Sequence, residues 1–169
     1  MLYSLQEYEY PENVIISFTG GEESENFYGA EKTIEFLQEE KEDLYDRLGF
    51  VLTIDVTSDN KDKDVSIENL NIEKENFENT QIRFKSIKQL ENKISRILSD
   101  INYGIICKGE PDESHCYAEW DLNTASLCIP CEGDLHSSNC RTKLSKIKQA
   151  AYAIWKIVNN ILKIENGER

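Results

Sequence analysis

The chain has 169 residues, enough for one domain with a core that needs no disulfide or structural metal. Its 19 Lys and Arg against 32 Asp and Glu leave a net charge near −13, which repels phosphate backbones and anionic lipids, so neither nucleic acid nor a membrane is an expected partner. No apolar run approaches the roughly 20 residues of a membrane span, and no basic segment followed by an apolar one precedes the first element, so a soluble cytoplasmic protein is expected.

Val14 to Thr19 (VIISFT) is β-branched and apolar and runs into Gly20-Gly21, the pattern of a buried strand stopped by a turn. Ala30, Ile34, Leu37, Leu44 and Leu48 fall at helical spacings and predict one amphipathic helix closed by Gly49. Phe50 to Val56 (FVLTIDV) predicts a second buried strand, followed by a polar loop from Thr57 to Lys63. Between Asp64 and Lys85 the periodicity weakens, and alternation around Ser66 to Ile72 and Thr80 to Phe84 fits edge strands or a hairpin. Ile87, Leu90, Ile94, Ile97 and Ile101 predict a second helix leading into a third strand, Tyr103 to Cys107. A fourth strand, Thr124 to Ile129 (TASLCI), stops at Pro130. Leu144, Ile147, Ala151, Ile154, Val158 and Ile161 form the stripe of a long last helix, widened by Trp155 and Leu162. Helices recurring between buried strands point to an α/β fold, a mixed, largely parallel sheet sandwiched between helices, in a single domain spanning residues 1–169.

In open α/β sheets, sites form outside the carboxyl ends of the strands. Here Glu22-Glu23 follows the first strand, Asp55 lies near the end of the second, and His136 follows the fourth. Carboxylates and an imidazole held on rigid strand ends are the donors of a zinc or similar divalent site. Adjacent glutamates diverge, so one can ligate while the other moves protons. Each residue also has a plainer reading. Glu22 and Glu23 can be solvated surface in an acidic chain. Asp55 can cap a loop or meet a lysine. His136 can be a loop residue near the start of the last helix, whose cap would be Ser137, Ser138 or Asn139. His115 reads as structural or surface.

Three stretches carry a family resemblance. Ile15 through Gly20-Gly21-Glu22-Glu23, followed by Gly29-Ala30, resembles the strand, Gly-Glu-Glu turn and Gly-Ala helix start of zinc exopeptidases with co-catalytic metals. Thr53-Ile54-Asp55-Val56-Thr57 resembles the segment that supplies an aspartate ligand. Pro111-Asp112-Glu113, and then Leu127-Cys128-Ile129-Pro130 through Gly133-Asp134-Leu135-His136-Ser137-Ser138, resembles the closing strand and the Gly-x-x-His-Ser loop before a final helix. The resemblance is to the aminopeptidase, carboxypeptidase and deacylase families, including the glutamyl aminopeptidase branch with its endoglucanase-like members. It implies Glu22 as general base, Glu23 and His136 on one metal, and Asp55 on the other. It also implies zinc or another divalent ion as cofactor, a peptide substrate and metal-assisted amide hydrolysis.

The family pattern also contains a His-x-Asp motif and a bridging aspartate upstream of the Glu-Glu turn. Only 21 residues precede Glu22, and they contain neither His nor Asp. The expectation is a zinc-exopeptidase-like fold truncated at the amino terminus, its carboxyl-terminal half only. Its metal site is short of the roughly three protein donors that a catalytic zinc uses. Weak metal binding, or none in the isolated chain, and little or no peptidase activity alone follow. A second chain supplying the missing half, or a second copy pairing through an open sheet edge, is the expected partner.

The cysteines offer a rival metal reading. Five cysteines, an odd count without an early pair, suit reduced thiols. Cys128-x2-Cys131-x4-His136-x3-Cys140 is one residue short of a CCHC zinc knuckle and could form a structural zinc site. Against it, Cys128 belongs to an apolar strand and the surroundings are acidic; small buried thiols are the plainer account. Two functions from different classes remain in view: a metallopeptidase-like hydrolase with an incomplete site, and a non-catalytic interaction module derived from the same fold.

Overall fold

The computed structural model describes residues 6–9, 13–20, 27–70, 92–108, 113–135 and 137–165. In chain order these form α1 (Tyr28–Glu40), α2 (Glu42–Tyr45), β1 (Val51–Thr57), β2 (Val65–Leu70), α3 (residues 92–97), β3 (Tyr103–Lys108), α4 (Glu113–Glu119), β4 (Thr124–Pro130) and α5 (Leu144–Glu165). The strands build one four-stranded sheet in the order β1-β4-β2-β3. β1 is parallel to β4 and β2 to β3, whereas β2 and β4 are antiparallel. The sheet is thus mixed and mostly parallel, with helices on both faces, a general α/β arrangement.

Alternation along the strands gives the two faces different chemistry. Ala125, Leu127 and Ile129 of β4, with Val65 and Ile67 of β2, point to one side. There they pack against Ile94 and Leu98 of the α3 region and against Ala150, Ala153, Ile154, Ile157 and Ile161 of α5. Each fully buried Leu or Ile of this set contributes about 1.5–3 kcal/mol relative to exposure. The opposite face carries Thr53, Asp55 and Thr57 of β1, Thr124, Ser126 and Cys128 of β4, and Ser66 and Glu68 of β2. It is covered in part by α4, which contacts β4 and β1 and packs in turn against α1 through Ala30, Ile34, Cys116 and Tyr117.

Several expectations change. Val14 to Thr19 is not a strand: residues 14–20 have no ladder partner among the described residues, and Ile15 (55%), Ile16 (55%) and Phe18 (73%) are exposed. Local β-propensity supplies no neighbour to pair with. The helix expected to run from Ala30 to Leu48 breaks at Lys41, where φ is −142°. Residues 38–43 (QEEKED) are all polar, so nothing apolar anchors the turn between Leu37 and Leu44. The alternation from Ser66 fits edge strands or a hairpin, yet β2 is an interior strand between β4 and β3. Thr80 to Phe84 lies outside the described residues.

The last helix is present and most of its expected stripe faces the core: Ala151, Ile154 and Ile161 are buried and Val158 packs against them. Lys146, Ala150, Ala153 and Ile157 widen that inward face, whereas Leu144, the first residue of the expected stripe, is 65% exposed. The small alanines let the helix axis approach the sheet. It begins at Leu144, with the Lys143 carbonyl accepting from the Lys146 and Ile147 amides, so none of residues 137–139 is its cap. Trp155 instead stacks on Tyr8, and its indole N–H donates to the Glu9 carbonyl at 3.0 Å. α4 was not foreseen. Among the described residues no helix is long and apolar enough to cross a membrane.

Candidate functional site

Because β1 and β4 run in parallel, their carboxyl ends leave the sheet at one edge, where antiparallel β2 begins. Three loops meet there: residues 58–64 after β1, residues 99–102 before β3, and residues 131–143 after β4. They are tied to one another. The Cys131 N–H donates to the Thr57 carbonyl at 2.7 Å, extending the β1-β4 pairing by one bond. The Asn60 amide donates to Ser66 Oγ and to the Ile105 carbonyl, both at 3.2 Å. Gly104 makes room for it, since a Cβ there would lie 2.6 Å from Asn60 Nδ2. Lys146, 8% exposed, donates to the Lys61 carbonyl at 2.6 Å and fastens the start of α5 to the first loop.

Asp55 sits at this edge, half-buried, two residues before the end of β1. Its Oδ1 accepts the Val56 backbone N–H at 2.6 Å, which fixes the carboxylate against its own strand. The register places it in one row across the sheet with Cys128, Ser66 and Gly104.

The turn around position 136 is built by its neighbours. Glu132 and Arg141 exchange two backbone hydrogen bonds of 2.7 and 2.9 Å. Gly133 has φ +91°, which an L side chain rarely adopts, and a Cβ there would lie 2.3 Å from the Asn139 carbonyl oxygen. The Asp134 carbonyl accepts both the N–H and the hydroxyl of Ser137, at 3.1 and 3.0 Å. The Thr142 hydroxyl closes the loop by donating to the Pro130 carbonyl at 2.9 Å. Leu135 and Ser137 are therefore held at the same edge as Asp55, whereas His136 itself lies outside the described residues.

Glu22 and Glu23 also lie outside them. The described residues that flank them, Gly20 and Phe27, are held against α1. Gly20 abuts Gly29 in the first turn of α1, where a Cβ would meet the Gly20 oxygen at 2.2 Å and nitrogen at 2.6 Å. Phe27 precedes the helix with φ 48°, and its carbonyl accepts from the Ala30 and Glu31 amides.

The polar sheet face holds residues that sequence reasoning did not select. Glu68 is 1% exposed, on an interior strand, among Ser66 (0%), Ser126 (1%) and Thr53 (8%). The signal was present, because alternation from Val65 to Leu70 puts Glu68 with Ser66 on one face. Facing this side, α4 buries Ser114 and carries His115, half-exposed. Glu113 Oε1 and Thr124 Oγ1 are buried without a hydrogen bond among the described residues. Burial, the Glu113 charge and Cys116 raise the Tyr117 phenol to about 12, against a smaller opposing effect of its hydrogen bond with Thr33. Burial chiefly raises the Cys116 thiol as well.

Among the described residues no three His, Cys, Asp or Glu side chains gather as a metal would require. Cys128, Cys131 and Cys140 are all described, so the three thiols of the knuckle reading do not converge: Cys128 lies against Ser126 on the sheet face at 3.7 Å, while Cys131 turns to Cys140. Of the four residues of the exopeptidase reading, Asp55 alone is described, and its carboxylate oxygen is a donor that suits zinc or another divalent ion. Compared with protein-family models, curated proteins and solved structures, the chain matches none.

Proposed function

We propose that this chain is a metallopeptidase-like hydrolase domain of the aminopeptidase type, with an incomplete two-metal site and weak or no activity on its own. The supporting observation is the parallel pairing of β1 with β4, which brings Asp55 and the turn flanking position 136 to one sheet edge although about eighty residues separate them. In this reading His136 and Glu23 hold one divalent ion and Asp55 a second. Bound zinc would supply Lewis-acid polarisation of a peptide carbonyl and a more acidic water. Glu22 would accept and return the proton at its carboxylate. The donor set suits zinc in kind and falls short in number, so further carboxylate or imidazole donors would come from a second chain.

The alternative, a non-catalytic interaction module, draws on exposed Ile15, Ile16 and Phe18 and on β1, an edge strand with Ile54 41% exposed and no proline or lysine to blunt it. Both readings fit pairing with a partner through that edge, with a second copy as the simplest case.

Zinc content and hydrolysis of an aminoacyl anilide, measured on the purified chain, separate them. Weakly held zinc that is lost in Glu23→Ala and His136→Ala, with any turnover lost in Glu22→Gln, supports the hydrolase. Zinc that survives those changes and disappears in Cys131→Ser sinks it, and no metal with no turnover favours the module.

A further inference from the structure

We propose that Cys131 and Cys140 are a dithiol modification site, which a small-molecule disulfide converts to an intramolecular disulfide closing the loop that contains His136. The geometry carries the inference. Residues 131 and 142, and 133 and 140, flank the Glu132-Arg141 pair, so the side chains of Cys131, Cys140 and Thr142 belong to one face of the short ribbon, opposite Glu132 and Arg141. The arms of the ribbon are close at its tip, where the Asn139 carbonyl fills the space a Gly133 Cβ would need. The Cys131 thiol is 3% exposed and donates to the Ile129 carbonyl at 3.5 Å. Its other neighbours are the Cys140 thiol, the Thr142 hydroxyl and the Lys146 ammonium. Cys140 is half-exposed, so one thiol of the pair is open to reagent and the other waits behind it.

The two thiols have different roles. Burial, followed by the adjacent Cys140, raises the Cys131 thiol to about 11, so it is a poor initial nucleophile near neutral pH. The Cys140 thiolate attacks one sulfur of the small disulfide, forms a mixed disulfide and expels one small thiolate. Cys131 then gives up its proton, attacks the Cys140 sulfur and expels the second. Two protein thiols are oxidised, one small disulfide is reduced to two thiols, and the two protons leave with those products. The new bond restrains residues 132–139, which form the carboxyl-edge turn described above, and it requires no metal or peptidase chemistry.

The test is to treat the native full chain with oxidised glutathione and map cysteines by mass spectrometry. The expected result is a Cys131–Cys140 bridge with two glutathione thiols released per chain, a stable glutathione adduct on Cys140 in Cys131→Ser, and an unmodified Cys131 in Cys140→Ser. The proposal is overturned if the wild-type chain accumulates a lasting adduct on Cys140 without a bridge. A bridge through any other cysteine, or reaction only after denaturation, overturns it equally.

Discussion

Replacing Gly29 by alanine sets two effects against each other, and the structure decides the sign. In an open helix the change would stabilise by about 1 kcal/mol, because glycine is a poor helix former. At this position the added Cβ would lie 2.2 Å from the Gly20 oxygen and 2.6 Å from its nitrogen, both backbone atoms that cannot swing aside. Relieving that overlap requires residues 19–20 to move by about 1 Å, and overpacking of this kind costs about 1–3 kcal/mol. The net expectation is a loss of up to about 2 kcal/mol, or a melting temperature lower by up to about 8 °C for a chain of this size. Gly20→Ala is the matched control: nothing lies within 4 Å of a Cβ there, so it should stay within about 0.5 kcal/mol of wild type. Thermal unfolding followed by circular dichroism, with a urea titration for the free energy, reads both. A Gly29→Ala chain more stable than wild type would mean that Gly20 is not packed on α1, and that residues 19–20 are not anchored there.

Alkaline pH should expose Tyr117. Its phenol is raised from 10.0 to about 12, so the unfolded chain ionises first and stability falls as pH rises through that window, by about 2–3 kcal/mol at its upper end. Below pH 10 that contribution is fully present. Tyr117→Phe should therefore narrow the gap to wild type between pH 10 and 12 in denaturant titrations, and a constant gap would refute the assignment. Acid acts oppositely on Asp100, which Lys156 holds below its ordinary value; the contribution of this exposed pair is present above that value and fades as pH falls. On the open edge of β1, Ile54→Lys should shift any self-associated form toward monomer in sedimentation velocity, and an unchanged distribution would place the contact elsewhere.

Much of the sheet was legible because its strands are short apolar runs bounded by polar turns. Val51–Thr57, Tyr103–Lys108 and Thr124–Pro130 fall within a residue of where alternation and composition put them. What failed needed information from elsewhere in the chain. Residues 14–19 have strand composition, yet the described structure pairs them with nothing, and the alternation of β2, with polar Ser66 and Glu68, fits an edge strand or a hairpin as well as an interior strand. Those residues are inward-facing members of a polar sheet face, a property that appears only once β4 and α4 lie beside them. The stripe of α5 was legible through Ala151, Ile154, Val158 and Ile161, and only its first residue, Leu144, lies outside the core. At the candidate site, strand order could not be read locally, yet the idea that Asp55 and the loop after β4 share an edge rests on it.

The central claim, that Asp55 and His136 belong to one divalent-metal site, is tested most directly by adding Mn²⁺ to isotopically labelled protein and following nuclear magnetic resonance broadening. The account predicts that the Val56 amide, bonded to Asp55, and the amides of residues 135–137 broaden together at the same low metal ratio, and that Asp55→Ala or His136→Ala weakens the effect. Broadening spread over the acidic surface, or confined to one of the two segments and indifferent to these changes, would contradict it.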